Sequence, residues 1–201
     1  SGSFSVEQTN KLSILLRSGA LPAKLTIVEQ RTVGAGLGGD QIEAGKLATY
    51  IGATAVAIFM VLAYGIFGVI ATVAVMVNVV LLIALLSVLG ATLTLPGIAG
   101  ILLTIGMAVD SNVLIYERIR EEQRLGRSTV GALDAGFVQA LGTIIDSNLT
   151  TLMAGLALYL FGTGPVKGFA VTLSIGIATT VFTAYTLTRL MVITYYDVFR
   201  P

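Results

Sequence analysis

The sequence has 201 residues, of which 55% are hydrophobic and 11% are charged, and its mean hydropathy is +0.91. Soluble domains carry roughly a quarter charged residues, so this composition excludes both a water-soluble domain and a disordered chain. The absence of cysteine and histidine excludes disulfide scaffolds, thiolate metal sites and histidine-based catalysis. The net charge of +1 gives no reason to expect a nucleic-acid partner. We expect an integral membrane protein that contacts the lipid bilayer and holds no metal or other cofactor.

The N-terminal stretch combines one helix pattern with one strand pattern. Ser5 and Gln8 form a capping box, which predicts a helix that runs to Arg17. Residues 24–33 are rich in Ile, Val and Thr and predict a strand. The glycine-rich residues 34–40, GAGLGGD, predict a flexible joint.

One helix and one strand cannot bury a hydrophobic core of their own. We therefore expect residues 1–40 to be the tail end of a larger domain and a linker. The sequence has no initiator methionine and no signal peptide. It is expected to be cut from a longer polypeptide that also contains an upstream membrane span.

Residues 41–201 have the hydropathy of a transmembrane domain. A helix needs about 20 apolar residues to cross the hydrocarbon core. The apolar runs and their Gly- and Pro-rich breaks predict five spans near 47–66, 69–89, 96–116, 141–161 and 167–189. The loop 117–140 between the third and fourth spans predicts a charged helix that stops near Gly126 and a second helix that begins at Ser128 or Thr129.

The distribution of basic residues predicts the orientation. Five spans place the two ends of the chain on opposite sides of the membrane. Six arginines lie on the side of the loop 117–140 and the C-terminus, whereas three basic residues lie on the other side. Basic residues favour the cytoplasm in short loops, so the C-terminus is expected to be cytoplasmic and the N-terminal segment extracytoplasmic.

Asp110 is the most informative residue for function. Between Lys46 and Glu117 it is the only acidic or basic side chain, and it lies about 21 Å into its span at 1.5 Å per residue. A carboxylate at bilayer depth costs roughly 2.5–3.5 kcal/mol. Helix-to-helix hydrogen bonding would need no ionisable group, so we expect Asp110 to lie in a polar interior and to carry protons or cations.

Three further polar residues are candidate members of the same pathway. Asn112 follows Asp110 on the same helix, and the triplet DSN recurs with Asp146 and Asn148 near the start of the fourth span. Asn148 is a possible hydrogen-bond partner of Asp110. Asp146 fits equally well as an acid at the membrane boundary.

The residues alone leave two classes of function. One is a component of an ion-coupled transporter or translocase. The other is an intramembrane aspartyl protease with Asp110 and Asp146 as a dyad, which needs two carboxylates close enough to share a proton. The sequence favours transport, because the depths expected for the two residues differ and the G-x-G-D pattern is absent. A P-loop is also absent, so ATP is not expected to be used and the chain is not expected to be an enzyme.

Three segments give the chain a specific resemblance. They are LLRSGALPAKLTIVEQRTVGAGLG at 15–38, GATLTLPGIAGILLTIGMAVDSNVLIYERIREE at 90–122 and DSNLTTLMAGLALYLFGTGPVKGFAVTLSIG at 146–176. Together they resemble the SecD/SecF family of protein-export membrane proteins, which is similar to the RND transporter superfamily. DSN at 110–112 stands where the family more usually has DAN.

The resemblance implies an all-α, RND-like helix bundle that contains spans two to six of six, with a short α/β remnant of the extracytoplasmic domain at its N-terminus. It implies a subunit of the Sec machinery in the bacterial inner membrane that uses the proton-motive force, or sodium in some bacteria, to assist preprotein translocation. Asp110 matches the proton-pathway carboxylate. The implied partners are SecF, the SecYEG channel, the SecA motor and preproteins. A small-molecule efflux transporter of the RND type is the alternative.

The bundle also predicts which residues face lipid. Ser111, Asn112, Thr143 and Asn148 are expected to face the bundle interior or SecF. In the fifth span, Val171, Leu173 and Phe182 are expected to face lipid.

Overall fold

The computed structural model describes residues 5–17 and 35–199, with the side chains of residues 5–14 and 39–198. All regular secondary structure in these ranges is helical. The strand expected at 24–33 lies outside the described residues.

The first helix, α1, covers Val6–Arg17. The backbone N–H of Gln8 donates to Ser5 Oγ at 3.3 Å, and the backbone N–H of Ser5 donates to Gln8 Oε1 at 3.1 Å. This reciprocal pair satisfies two amides that have no partner inside the helix. The predicted capping box is confirmed.

The remaining helices form the membrane part of the chain. They are α2 at Ala35–Tyr64, α3 at Ile66–Val88, α4 at Leu95–Arg124, α5 at Thr129–Phe161, α6 at Pro165–Phe182, a π-helical segment at Thr183–Leu187 and α7 at Thr188–Phe199. Because α6, the π-helical segment and α7 are continuous, the described residues contain five helices long and apolar enough to cross a membrane. The expected all-α membrane bundle is confirmed.

The glycine-rich residues 34–40 were expected to form a joint, but α2 begins at Ala35 and passes through them. Glycine lowers helix stability by about 1 kcal/mol per residue. Extending a long existing helix is much less costly than starting one, because each added residue brings one hydrogen bond. Asp40 consequently lies inside α2 and does not cap it.

Short turns with helix-breaking residues separate the helices. Gly65, with φ of 58°, ends α2 and starts α3. The Thr94 hydroxyl accepts a hydrogen bond from the Gly97 amide at 3.2 Å and caps α4. Ser128 caps α5 in the same way through the Gly131 amide at 3.3 Å. Helix α4 ends after the expected span 96–116, and α5 begins before the expected span 141–161. Only residues 125–128 separate the two helices.

Helix α4 lies at the centre of the bundle, where it packs against α3, α5 and α6. Its buried face follows helical spacing through Thr104, Ala108, Ser111 and Ile115. Helix α2 is peripheral, since only 6% of the residues in its most apolar stretch are buried.

Close contact between α4 and α6 depends on the small size of Gly176. A Cβ atom placed on Gly176 would overlap the hydroxyl of Thr104 and lie 2.9 Å from its methyl carbon. Thr104 is completely buried, and its hydroxyl donates to the Gly100 carbonyl at 2.9 Å. A methyl group at residue 176 would therefore displace a buried, hydrogen-bonded side chain.

We expect Gly176→Ala to destabilise the bundle by about 1–3 kcal/mol, because overpacking forces side chains and backbone apart. Gly106→Ala is the matched control, since a Cβ atom there meets nothing within 4 Å. The helix preference of alanine makes that change neutral or stabilising by up to about 1 kcal/mol. Thermal unfolding in detergent compares the two variants, and equal unfolding temperatures would contradict the packing argument.

The expected lipid-facing residues of the last span divide between two faces. Phe182 is 57% exposed, as expected. The prediction for Leu173 is wrong, because Leu173 is only 3% exposed and its side chain lies beside Gly155 of α5. Gly155 has no side chain, so it leaves a space between the helices that a leucine fills.

Candidate functional site

Asp110 lies on the outer face of α4. It is exposed in this chain, whereas its neighbours Ala108, Ser111 and Asn112 are buried. No hydrogen bond or ion pair joins the side chain of Asp110 to any residue within the described ranges. We expected Asp110 to lie in a polar interior. The described helices of this chain do not enclose it.

The depth of Asp110 makes this exposure costly. Asp110 lies fifteen residues after Leu95, the first residue of α4, which is about 22 Å along the helix axis. The first basic residue of the charged end, Arg118, follows about 12 Å later. A carboxylate at this depth needs water or polar groups around it, and these must come from outside the five described spans.

Asn112 lies on the opposite side of the same helix. Two residues correspond to about 200° of rotation, so Asn112 points into the bundle and is only 2% exposed. Its Nδ2 donates to the Ala108 carbonyl at 2.8 Å, and its Oδ1 accepts from the Thr188 hydroxyl at 2.7 Å. Both ends of the buried amide are therefore satisfied, which removes the cost of burying it.

The second triplet repeats this arrangement on α5. Asp146 is exposed, while Asn148 is 7% exposed and donates to the Ile144 carbonyl of its own helix at 2.8 Å. Within the described part of the chain, Asn148 makes no hydrogen bond to Asp110, so that possible pairing is not found. Thr143, expected in the interior or against SecF, is exposed on α5.

Each of the two helices thus has one uncovered face that carries a carboxylate. On α4 this face contains Asp110 and Gly106, and on α5 it contains Asp146 and Gly142. A Cβ atom on either glycine would meet nothing within 4 Å. We name these surfaces the Asp110 face and the Asp146 face.

Two polar features inside the bundle were missed by the sequence analysis. The first is Asn78 of α3, which is completely buried and donates through Nδ2 to Thr180 Oγ1 at 3.1 Å. The second is Thr188, which binds Asn112 directly after the π-helical segment. A lone asparagine in the apolar run of α3 and the repeated threonines of the last span were the available signals.

The charged end of the bundle is only partly a solvated surface. Glu122 of α4 is 4% exposed, and its carboxylate contacts Arg127 Nε at 2.6 Å and accepts from Gln139 Nε2 of α5 at 2.7 Å. These contacts hold the turn between α4 and α5. A second ion pair joins Asp134 of α5 to Arg189 of α7 at 2.7 Å.

The comparisons with known proteins agree with the fold. The family model described as "Protein export membrane protein SecD/SecF, C-terminal" matches residues 17–197. Protein translocase subunit SecD of Calditerrivibrio nitroreducens is 56% identical over 196 residues, which are 98% of this chain and 38% of that protein. Protein translocase subunit SecDF of Brucella abortus is 51% identical over 200 residues, which are 100% of this chain and 26% of that protein.

A solved structure has the same fold. The crystal structure of SecDF from Thermus thermophilus, a translocon-associated membrane protein, superposes with a TM-score of 0.84 at 44% identity. The match covers 98% of this chain and 27% of that one. The chain therefore spans well under half the length of these relatives.

Proposed function

Because this chain belongs to the SecD/SecF family of protein export membrane proteins, we propose that it is the membrane part of a translocase subunit that assists preprotein export. The matched relatives are named as translocase subunits. Export is a property of the whole polypeptide, of which this chain corresponds to 38% in the relative from Calditerrivibrio nitroreducens. The chain is a multi-pass membrane protein with five candidate spans.

Within that subunit, Asp110 is the carboxylate that takes up and releases the coupling ion. One observation carries this assignment: Asp110 is a carboxylate at bilayer depth with no partner in the described bundle. Asn112, by contrast, has both ends of its amide satisfied by hydrogen bonds. A residue that only holds helices together would have such a hydrogen-bond partner. A carboxylate that carries an ion must instead remain free to bind and release that ion. Asp146 is a second member of the pathway. It lies 17 residues, about 26 Å, from the first residue of α5, and Asp110 lies 14 residues, about 21 Å, from the last residue of α4, so the two carboxylates have comparable depths and not the different depths expected from the sequence.

The uncovered Asp110 and Asp146 faces support the proposal that a partner binds there. Two similar proteins carry the name SecDF, and we assign the covering helices to SecF, fused or separate. Transporters built from two related halves place their sites near the interface between the halves. The SecYEG channel, SecA and preproteins are the further partners in this function.

An RND-type small-molecule efflux transporter would use the same carboxylate. The names of the relatives favour export.

An experiment with the full-length protein and its partner subunits in membrane vesicles distinguishes the two functions. A proton gradient and a sodium gradient are imposed separately, and preprotein export is measured. Stimulation by one gradient supports the proposal, and no stimulation by either gradient contradicts it.

The distribution of basic residues supports an orientation for the membrane domain. The charged end of α4 and α5 lies on the cytoplasmic side of the bacterial inner membrane, because six arginines are on that side and basic residues favour the cytoplasm. A reporter joined after Gly126 is expected to be cytoplasmic, and one joined after Gly164 to be extracytoplasmic. Opposite locations would mean that the order of spans is shifted by one.

A further inference from the structure

A buried hydrogen bond joins the last span to the middle of α4. The Thr188 hydroxyl donates to Asn112 Oδ1 at 2.7 Å, and the two residues are 0% and 2% exposed. The other acceptor near this hydroxyl is the Thr183 carbonyl at 3.4 Å, which is too far for a strong bond. Asn112 is therefore the main partner of Thr188.

Thr188 lies where the regular helix pattern of the last span is broken. The π-helical segment Thr183–Leu187 ends at Thr188, whose backbone N–H donates to the Thr183 carbonyl five residues earlier. Such single-turn π-bulges are rare and occur often at functional sites. The extra residue in this turn rotates all following residues about the helix axis, and Thr188 is the first of them.

Asn112 in turn braces the part of α4 that carries Asp110. Its Nδ2 donates to the Ala108 carbonyl at 2.8 Å, so the side-chain bond spans residues 108–112 with Asp110 in the middle. Side-chain bonds of asparagine to the backbone of the preceding turn compete with the regular hydrogen bonds of the helix. The direction in which Asp110 points therefore depends on whether Asn112 keeps this position.

We propose that Thr188 is a positioning residue for Asp110: its hydroxyl holds Asn112, and Asn112 holds the turn of α4 that displays the carboxylate. The π-helical segment brings Thr188 to the depth at which it meets Asn112. This proposal rests on the proposed role of Asp110 and extends it to a second helix.

Thr188→Val tests the proposal, because valine keeps the shape of threonine and removes only the hydroxyl. Thr188→Ser keeps the hydroxyl. The matched control is Thr180→Val, which breaks the other buried asparagine–threonine bond, between Asn78 of α3 and the last span. All variants are made in the full-length protein, with its partner subunits, in membrane vesicles.

Two properties of each variant are measured. The first is gradient-stimulated export. The second is the infrared carbonyl band of the protonated Asp110 carboxyl after acidification, assigned by its absence in Asp110→Asn. The infrared band reports the surroundings of Asp110 without depending on transport.

We expect Thr188→Val to lower gradient-stimulated export by roughly fivefold, the factor that corresponds to one net hydrogen bond, and to shift or broaden the Asp110 band. Thr188→Ser restores both, and Thr180→Val changes neither, although it lowers the unfolding temperature to a similar degree. Thr188→Ala gives the same band change if the valine variant fails to fold.

An unchanged Asp110 band in the Thr188 variants overturns the positioning role. Equal losses of export in Thr188→Val and Thr180→Val also overturn it, because they would reflect stability alone. Normal export by Asp110→Asn would instead contradict the proposed function, so the two failures are distinguishable.

Discussion

Asp110→Asn in the full-length protein is expected to reduce export to the level measured without an ion gradient. Asparagine has nearly the same shape as aspartate but cannot take up or release a proton. The bundle should fold as before, because the side chain of Asp110 makes no hydrogen bond or ion pair to the described residues and a charge is removed from bilayer depth. Preprotein export into vesicles is measured with and without an imposed gradient.

Asp197→Asn is the matched control for this experiment. Asp197 is an exposed carboxylate near the end of α7, outside the Asp110 and Asp146 faces. Its replacement should leave gradient-stimulated export unchanged. Export by Asp110→Asn at the wild-type rate, with the same response to the gradient, would refute the assignment of Asp110 as the ion carrier.

Single cysteines are expected to reveal which exposed surfaces meet lipid and which meet water or a partner. The chain has no native cysteine, so each introduced thiol is the only one in it. Cysteines at Gly106 on the Asp110 face and at Ser147 beside Asp146 should react with water-soluble thiol reagents, or crosslink to SecF. A carboxylate-bearing face cannot be left against hydrocarbon without a cost of several kcal/mol.

The matched controls are cysteines at Val80 and Phe182, which are 68% and 57% exposed on apolar surfaces near the middle of α3 and of the last span. Their reaction with water-soluble reagents should be slower by roughly tenfold or more, the factor that corresponds to 1.4 kcal/mol. Asn112, Asn148 and Leu173 are unsuitable positions, because all three are buried within the bundle. If Gly106 and Ser147 reacted only with lipid-soluble reagents, as Val80 and Phe182 should, the two carboxylates would face lipid.

Much of the candidate site could be predicted from the order of residues along one helix. The depth of Asp110 follows from its distance to the charged end at Arg118, because the rise per residue in a helix is constant. The choice of Asp110 as the functional residue follows from the cost of a charge in hydrocarbon. Which groups contact Asp110 could not be predicted, because contacts between helices depend on how each helix is rotated about its own axis.

Asn112 illustrates that limit. From the sequence it belongs with Asp110, because the two are the first and last residues of the same polar triplet. In the structure it faces the other way and binds Thr188, which is 76 residues further along the chain. The π-helical segment that brings Thr188 to this position gives no clear hydropathy signal, since its residues TAYTL are compatible with an ordinary helix.

The sequence by itself determined that residues 41–201 form a helical membrane domain with five candidate spans and one carboxylate deep in the third span. These properties depend on composition and on the thickness of the bilayer, both of which act along a single segment of chain. Only the tertiary structure decided that Asp110 is uncovered, that Leu173 is buried, and that Asn78, Asn112, Thr180 and Thr188 join the helices inside. The physical reason is that burial depends on which faces of neighbouring helices meet, and close packing at positions such as Gly176 selects those faces.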